Sequence, residues 1–146
     1  MNITGYFLSN TIENKEQVLS FFENYNQKNW DYCSGGCLKF IDESEEITLI
    51  IQKKIKNSDI SLTYTRKALN DNRPPICWHS LGDKELLNDF IDVGEHEFAS
   101  LGTFICFQKA LDVIEVIFQF PNILPSNINW ILSEKIDWDK LYNENF

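Results

Sequence analysis

The sequence predicts an α+β fold in which a mainly antiparallel sheet is packed by an N-terminal helix and by a long amphipathic helix in the C-terminal half. Short β-branched segments fill the middle of the chain, and apolar residues at helical spacing lie near its two ends. The 146 residues include 43% hydrophobic residues and 11 phenylalanines, enough to fill one hydrophobic core. We therefore expect residues 1–146 to form a single domain.

The first predicted elements are a strand and a capped helix. Residues 3–8 contain few polar side chains and are predicted to form a strand. Asn14 and Gln17, three positions apart, resemble a capping box, in which each side chain bonds the backbone N–H of the other residue. An apolar stripe at helical spacing follows, formed by Val18, Phe22 and Tyr25. A helix is therefore predicted over residues 14–26.

The central block of the chain is predicted to hold the sheet. Residues 29–36 are expected to form a loop with a turn at Gly35 and Gly36. The predicted strands that follow cover residues 37–41, 47–54, 60–66 and 76–81. The second and third of these should form a hairpin, because the Asn-Ser-Asp sequence at residues 57–59 is typical of a turn. Polar and apolar side chains alternate in the third strand, so we expect one of its faces to lie on the core.

Two further segments carry weaker signals. Residues 83–92 have apolar positions that suit a short helix, whereas residues 90–93 equally suit a strand, and both alternatives stay open. The C-terminal tail, residues 133–146, places Trp138 and Leu141 on one helical face. We expect this tail to dock weakly, if at all.

The strongest helical pattern lies between Thr103 and Trp130. Its apolar stripe consists of Ala110, Val113, Ile114, Ile117 and Phe118, and its polar face of Lys109, Asp112, Glu115 and Gln119. Pro121 lacks an N–H and disfavours helix in the residue before it, so the helix should stop near Phe120. After a turn, residues 128–132 are predicted to form a strand that includes a tryptophan.

The chain is strongly acidic, with 22 Asp and Glu against 13 Lys and Arg and a formal net charge of −9. It should repel nucleic acid, which proteins bind through basic patches, and it should attract basic proteins. The N-terminus has no basic segment followed by an apolar one, and no apolar run approaches the ~20 residues that span a membrane. We therefore expect a soluble, cytoplasmic protein without membrane contact, whose four cysteines stay reduced.

Metal-binding and catalytic motifs are weak. Cys33 and Cys37 form one pair, and Cys77 with His79 could supply two more ligands, but a single intervening residue is an unusual spacing for zinc. His79 and His96 are the only histidines, and neither stands in a nucleophile motif. We therefore expect no metal, no cofactor and no catalytic residue. An enzyme that uses a Cys–His pair stays open as an alternative.

Two acidic groups are the candidate partner-binding residues. The first lies in a predicted turn over residues 42–46 and consists of Asp42, Glu43, Glu45 and Glu46. The second consists of Asp83, Glu85, Asp89, Asp92, Glu95 and Glu97. Acids of this kind are most often solvated surface, but the overall charge favours an acidic docking face. Trp30 and Tyr32 flank the predicted loop and are candidate exposed anchors for a partner.

One part of the chain resembles a known protein family. The pattern is an apolar lead-in, an amphipathic helix that ends on Phe, a Leu-Pro loop, and a short strand ending in Trp. It is carried by Ile105, Ala110, residues 118–120, Leu124, Pro125, Ile128 and Trp130. These residues resemble the C-terminal half of the first-described family of immunity proteins in bacterial polymorphic toxin systems. The loop has Asn122 and Ile123 where that family often has Gly, and Gly94 and Gly102 only faintly echo its Gly-rich strand.

The resemblance implies a small, often acidic, cytoplasmic α+β protein without catalysis. Such proteins bind a toxin domain delivered by a neighbouring cell, often one that cleaves or deaminates nucleic acid, and they block its active site. Our leading hypothesis is therefore an immunity protein for a basic toxin domain. The alternatives to this hypothesis are a small enzyme and an acidic adaptor protein. A deep pocket that holds His79, a cysteine and a carboxylate would favour the enzyme.

Overall fold

The computed structural model describes residues 1–33 and 35–145. Helices α1 to α4 cover Lys15–Glu23, Gln27–Cys33, Phe107–Gln119 and Trp138–Asn145. Strands β1 to β10 cover Asn2–Phe7, Asn10–Thr11, Gly35–Ile41, Glu45–Lys53, Ile60–Ala68, Ile76–Ser80, Phe90–Gly94, Glu97–Ser100, Phe104–Ile105 and Trp130–Leu132. Short 3₁₀ segments cover Lys84–Leu86, Leu101–Thr103 and Ser133–Lys135. None of the helices described here is long and apolar enough to cross a membrane.

The strands form one large sheet and a separate hairpin. The order in the large sheet is β10-β6-β5-β4-β3-β1-β2, and β9 pairs with β5 beside this path. Strands β7 and β8 form a two-stranded sheet of their own. All of these pairings are antiparallel, and the hairpin predicted around residues 57–59 is present as β4 and β5. The predicted α+β class with a mainly antiparallel sheet is therefore confirmed.

Helix α3 packs on one face of the large sheet and carries the predicted apolar stripe. Its fully buried residues are Ala110, Val113, Ile114 and Ile117. Phe118, the fifth member of the stripe, is only half-buried, and its ring centroid lies 5.3 Å from that of Phe40. The helix ends at Gln119, as the proline at position 121 predicts. The predicted polar face is exposed to solvent, so the amphipathic pattern correctly identified which side of α3 meets the sheet.

The predicted capping box is confirmed at the start of α1. The backbone N–H of Gln17 donates to Asn14 Oδ1 at 3.0 Å, and the backbone N–H of Asn14 donates to Gln17 Oε1 at 3.2 Å. These two bonds satisfy backbone donors that the first turn of a helix leaves free. The helix ends at Glu23, three residues before the predicted boundary at residue 26.

The prediction of a loop over residues 29–36 is wrong. The first part of this segment belongs to α2, and Gly35 and Gly36 begin β3 instead of forming a turn. Trp30 is 1% exposed, and its ring meets that of Phe7 edge-on with centroids 5.1 Å apart. Because most helical stability in proteins comes from tertiary packing, this buried contact overrides a weak local signal.

The second face of the large sheet is also partly covered. The apolar face of β5 lies on the core as predicted, but Ser61 and Thr63 on its polar face are buried as well. Ser61 Oγ lies 2.7 Å from Thr103 Oγ1, and Thr63 Oγ1 lies 2.9 Å from His79 Nδ1. The hydroxyl groups of β5 therefore find partners on neighbouring segments, which makes their burial possible.

The β7–β8 hairpin resolves the open choice for residues 83–92. A 3₁₀ segment occupies the start of this region, and β7 occupies its end, so each alternative holds for part of it. The partner strand β8 was not predicted. Its two-residue turn consists of Glu95 and His96, whose φ angles of 54° and 62° lie in the left-handed region that Gly and Asn usually occupy in such turns. The sequence signal for a hairpin is therefore missing.

The expectation that the C-terminal tail docks weakly is wrong for the described residues. Trp138 Nε1 donates to Ser133 O at 3.0 Å, and the Trp138 ring lies 5.5 Å from the rings of both His79 and Phe90. Leu141, one turn further along α4, is 6% exposed. The tail thus helps to cover the second face of the sheet.

Strand β10 is shorter than predicted and begins at its tryptophan rather than ending there. It covers Trp130–Leu132 instead of residues 128–132, and it pairs with β6. Trp130 Nε1 donates to Pro125 O at 2.7 Å. This bond holds the loop after α3 against the start of the strand.

Candidate partner-binding surface

Three of the four acids in the first group have hydrogen-bond or ion-pair partners within the protein. The turn covers residues 42–44 only, because Glu45 and Glu46 belong to β4. Asp42 Oδ1 accepts the backbone N–H of Glu45 at 2.9 Å and that of Ser44 at 2.8 Å, and these bonds lower the pKa of Asp42 to about 2. Asp42 is therefore a turn-forming residue whose carboxylate is already occupied.

The two glutamates of this group on β4 have internal partners. Glu45 Oε2 lies 3.5 Å from Arg66 Nε, and Glu45 also accepts a hydrogen bond from Asn122. Glu46 Oε1 lies 3.8 Å from Lys39 Nζ. Glu43 is exposed at the tip of the turn. The first predicted face therefore offers a partner much less free charge than its sequence indicates.

The second acidic group is dispersed over the surface. Asp83 accepts the backbone N–H of Glu85 at 2.9 Å, and Asp92 accepts that of Gly94 at 2.7 Å, so both stabilise turns. Asp89 forms an ion pair with Lys140 at 3.4 Å on α4. Glu85 is exposed in the 3₁₀ segment. None of these four acids, Asp83, Glu85, Asp89 and Asp92, lines the cleft described next.

Glu95 and Glu97 stand apart from the other acids, because both lie at the exposed tip of the β7–β8 hairpin. Neither forms an ion pair with a basic residue in the part of the chain that the structure describes. The only side-chain hydrogen bond to Glu97 described here comes from Gln52 Nε2 at 3.3 Å. Glu43 and Glu85 are also exposed without such an ion pair, so what distinguishes Glu95 and Glu97 is that both line the cleft described next.

A cleft of about 360 Å³ lies between this tip and the second face of the large sheet. We name it the hairpin cleft; its lining includes Tyr6, Cys37, Ile50, Glu95, Glu97 and Phe98. The first three belong to neighbouring strands and are directly paired, so their side chains form one row across the sheet. Gly35, which also lines the cleft, has a φ angle of 115°, and a Cβ atom there would lie 1.9 Å from Ile51 O, so only glycine allows this close pairing of β3 with β4.

The carboxylates make the hairpin cleft electronegative. Burial raises the pKa of the Tyr6 hydroxyl, and Cys37, Glu97 and Glu95 raise it further by charge repulsion. Burial is also the main reason why the pKa of the Cys37 thiol is raised, and Glu97 contributes to it. Both groups therefore stay neutral at pH 7. A protonated thiol is a poor nucleophile, so this environment does not activate Cys37.

A second cleft, of about 570 Å³, continues from the first along α2. We name it the α2 cleft; its lining includes Leu8, Asn10, Phe21, Lys28, Tyr32 and Cys33. Cys33 lines both clefts, which makes them parts of one surface. Tyr32 is 83% exposed and Tyr6 is 56% exposed. Of the two anchors that the sequence indicates, Tyr32 is exposed, whereas Trp30 lies in the core and is not available to a partner.

The residues that could form an enzyme site are only partly brought together. His79 Nε2 lies 3.0 Å from Ser133 Oγ and 3.9 Å from Cys77 Sγ. Burial lowers the pKa of His79 to about 4, so its ring is neutral at pH 7. The cavity that His79 lines, of about 200 Å³, contains neither a cysteine nor a carboxylate, whereas Cys77 and Glu134 line a different cleft. The pocket expected for an enzyme is not assembled by these residues.

The predicted cysteine pairs are also separated. Cys37 lies on β3 and Cys77 on β6, with β4 and β5 between them. Neighbouring strands are ~4.8 Å apart, which places these cysteines on the order of 14 Å from each other across the sheet. Ligands of one zinc ion lie within ~2.3 Å of it, so the two pairs do not share a metal. Among the described residues no group of three or more His, Cys, Asp or Glu is arranged to hold a metal ion.

Comparisons with known protein families, with curated proteins and with solved structures find no match to this chain. The site is therefore defined by its own geometry. The sequence identified Glu95, Glu97 and Tyr32 as candidates, but it did not indicate Tyr6 or Phe98. Both lie in strands, where an aromatic residue ordinarily indicates packing, and only the neighbouring elements determine whether it is exposed.

Proposed function

We propose that this protein is an immunity protein that binds a basic toxin domain and occludes its active site. The observation that carries the proposal is the cleft at the hairpin tip, where Glu95 and Glu97, which form no ion pair with any described basic residue, lie beside the exposed Tyr6. Exposed aromatic residues and concave surfaces are typical of protein interfaces. The net charge of −9 favours a partner that carries positive charge.

The tip is suited to compete with nucleic acid for a positively charged catalytic cleft. Glu95 in the turn and Glu97 at the start of β8 place two carboxylates at the end of the hairpin, which Gln52 links to the large sheet through its hydrogen bond to Glu97. Enzymes that cleave or deaminate nucleic acid bind phosphates through basic residues. An acidic protein hairpin that enters such a cleft excludes the substrate by charge and by volume. The α2 cleft, which is mainly apolar, supplies the remaining contact area.

The residues that carry the family resemblance support the proposal because most of them belong to the protein core or pack against it. They are not expected to contact the partner. Ile105 and Ala110 are buried, and Trp130 packs beside Tyr64 with ring centroids 6.1 Å apart. They lie in β9, α3 and β10, which pair within the large sheet or pack on its core face. Partner-binding residues on the opposite face are then free to vary between proteins that recognise different toxins.

The direct test is co-expression with the toxin domain encoded next to this protein in a sensitive bacterium. We expect cells that carry both proteins to survive and cells that carry the toxin domain alone to die. Equal killing with and without this protein would refute the immunity function. An adaptor protein would leave killing unchanged and would bind a partner that is not toxic.

The contribution of the tip is tested by charge reversal with a matched control. We expect Glu95→Lys/Glu97→Lys to slow association with the toxin domain roughly tenfold at low salt, because steering by surface charges acts mainly on the association rate. The control Glu115→Lys/Glu144→Lys changes the net charge equally at exposed sites outside both acidic groups. Equal slowing by both variants would show that overall charge, and not the hairpin tip, steers the encounter.

The enzyme alternative has one observation in its favour, the contact between Ser133 Oγ and His79 Nε2 at 3.0 Å. If this contact or the neighbouring thiol carried the function, Ser133→Ala and Cys77→Ser would abolish protection. We expect both variants to protect as well as the unaltered protein, since neither residue lines the hairpin cleft.

A further inference from the structure

The hairpin cleft contains the parts of a binding site for a cationic side chain. The Tyr6 ring lies in one wall, and the carboxylates of Glu95 and Glu97 lie at the hairpin tip. Gln52 Nε2 donates to Glu97 Oε2 at 3.3 Å and so orients this carboxylate along the cleft. The volume of about 360 Å³ lies within the range of ~300–1,000 Å³ that is common for sites that enclose a ligand group.

The same combination of groups already holds an arginine elsewhere in the chain. Arg66 Cζ lies 5.9 Å from the ring centroids of both Tyr64 and Trp78, and Arg66 Nε lies 3.5 Å from Glu45 Oε2. A guanidinium group there stacks on aromatic rings while it neutralises a carboxylate. The hairpin cleft has an aromatic ring and two carboxylates in a comparable setting, but it has no ion pair to a cation among the described residues.

We propose that the hairpin cleft binds one arginine side chain of the partner, held between the Tyr6 ring and the carboxylates of Glu95 and Glu97. This inference deepens the proposed function, on which the identity of the partner as a basic toxin domain rests. Arginine fits better than lysine because its planar guanidinium offers five donors to two carboxylates while its face lies on an aromatic ring. Buried arginine anchors are also frequent among the residues that dominate binding energy.

The site is tested first without the toxin, by NMR titration of the whole protein with the tripeptide acetyl-Gly-Arg-Gly-amide. We expect chemical-shift changes at Tyr6, Gln52 and Glu97, with weak affinity in the millimolar range. The same peptide with citrulline, which keeps the shape but lacks the charge, should cause no such changes. Equal changes with citrulline, or changes spread over the whole acidic surface, would overturn the proposal.

Three variants separate a specific site from general charge attraction. Glu95→Gln/Glu97→Gln should abolish the shift changes, whereas the control Glu115→Gln/Glu144→Gln, which removes equal charge from exposed helix positions, should preserve them. Tyr6→Leu removes the aromatic ring and should weaken peptide binding, because the guanidinium group then loses the surface on which it stacks. If the control double variant weakens binding as much as the tip variant does, the arginine site is refuted.

The toxin complex gives an independent measurement. Replacing the inserted arginine of the toxin domain by lysine should weaken the complex about 30-fold, which corresponds to the loss of ~2 kcal/mol seen at strong interface anchors. Glu95→Gln/Glu97→Gln should then make the complex insensitive to that replacement. A toxin domain that kills despite normal peptide binding would refute the immunity function alone. Normal protection without any arginine dependence would refute the arginine site alone.

Discussion

The buried ion pair between Lys53 and Asp31 provides the sharpest stability prediction. The Lys53 side chain is completely buried, and its ammonium group donates to Asp31, to Lys54 O at 2.6 Å and to Asn57 O at 2.6 Å. The Asp31 side chain is 20% exposed, and its carboxylate also accepts the backbone N–H of Lys56 at 3.1 Å. Burial raises the pKa of Asp31, but the hydrogen bonds from Lys53 and Lys56 outweigh this effect and lower it.

Removing the charge of Asp31 and removing that of Lys53 should lower the free energy of unfolding by different amounts. Asp31→Asn leaves a buried ammonium group without its counter-charge, and removing one partner of a buried pair typically costs ~3–5 kcal/mol. Lys53→Met leaves a carboxylate that is partly exposed and still hydrogen-bonded, so we expect a smaller cost of ~1–3 kcal/mol. The double variant should be close to Lys53→Met alone and well below the sum of the single effects.

Urea unfolding of the four proteins at pH 7, analysed by linear extrapolation, measures these free energies. Equal costs for both single variants, with an additive double variant, would refute the reasoning, because the ammonium group would then be satisfied without the carboxylate. The pair also positions α2, which carries Tyr32 and Cys33 along the α2 cleft. Asp31→Asn should therefore also weaken binding of the partner, even under conditions in which the variant remains folded.

Two further predictions concern the core and the pH dependence of stability. Ile117→Ala should lower the free energy of unfolding by ~2–5 kcal/mol, because Ile117 is fully buried on α3. Glu115→Ala, on the exposed face of the same helix, should be close to neutral. Similar small losses for both variants in denaturant melts would contradict this packing. The pKa of His79 is about 4 in the folded protein and 6.5 in an unfolded chain, so between these pH values the unfolded chain binds one proton more than the folded protein. The free energy of unfolding should therefore decrease by up to about 3 kcal/mol as the pH falls from 6.5 to 4. His79→Gln should remove this slope from urea melts recorded across that window, and an unchanged slope would show that other groups cause it.

Local sequence patterns were sufficient for several elements. The stripe of α3, the capping box of α1 and the β4–β5 hairpin all depend on residues a few positions apart, and their signals are strong because each element forms its own hydrogen bonds or buries one regular face. Helix α2 and strand β8 were missed for the opposite reason. Trp30 stabilises α2 through packing on β1, and the turn before β8 lacks the residues that usually adopt its conformation.

The sequence by itself determined the fold class, the amphipathic orientation of α3 and the strong negative charge of the chain, because these depend on composition and short-range periodicity. Only the tertiary structure decided which acids are free for a partner. Glu45 and Asp89 are occupied by residues 77 and 51 positions further along the chain, Asn122 and Lys140. The cleft beside the hairpin tip likewise joins segments that are distant in sequence. Charge is a property of each residue, but its availability depends on long-range contacts that no local pattern encodes.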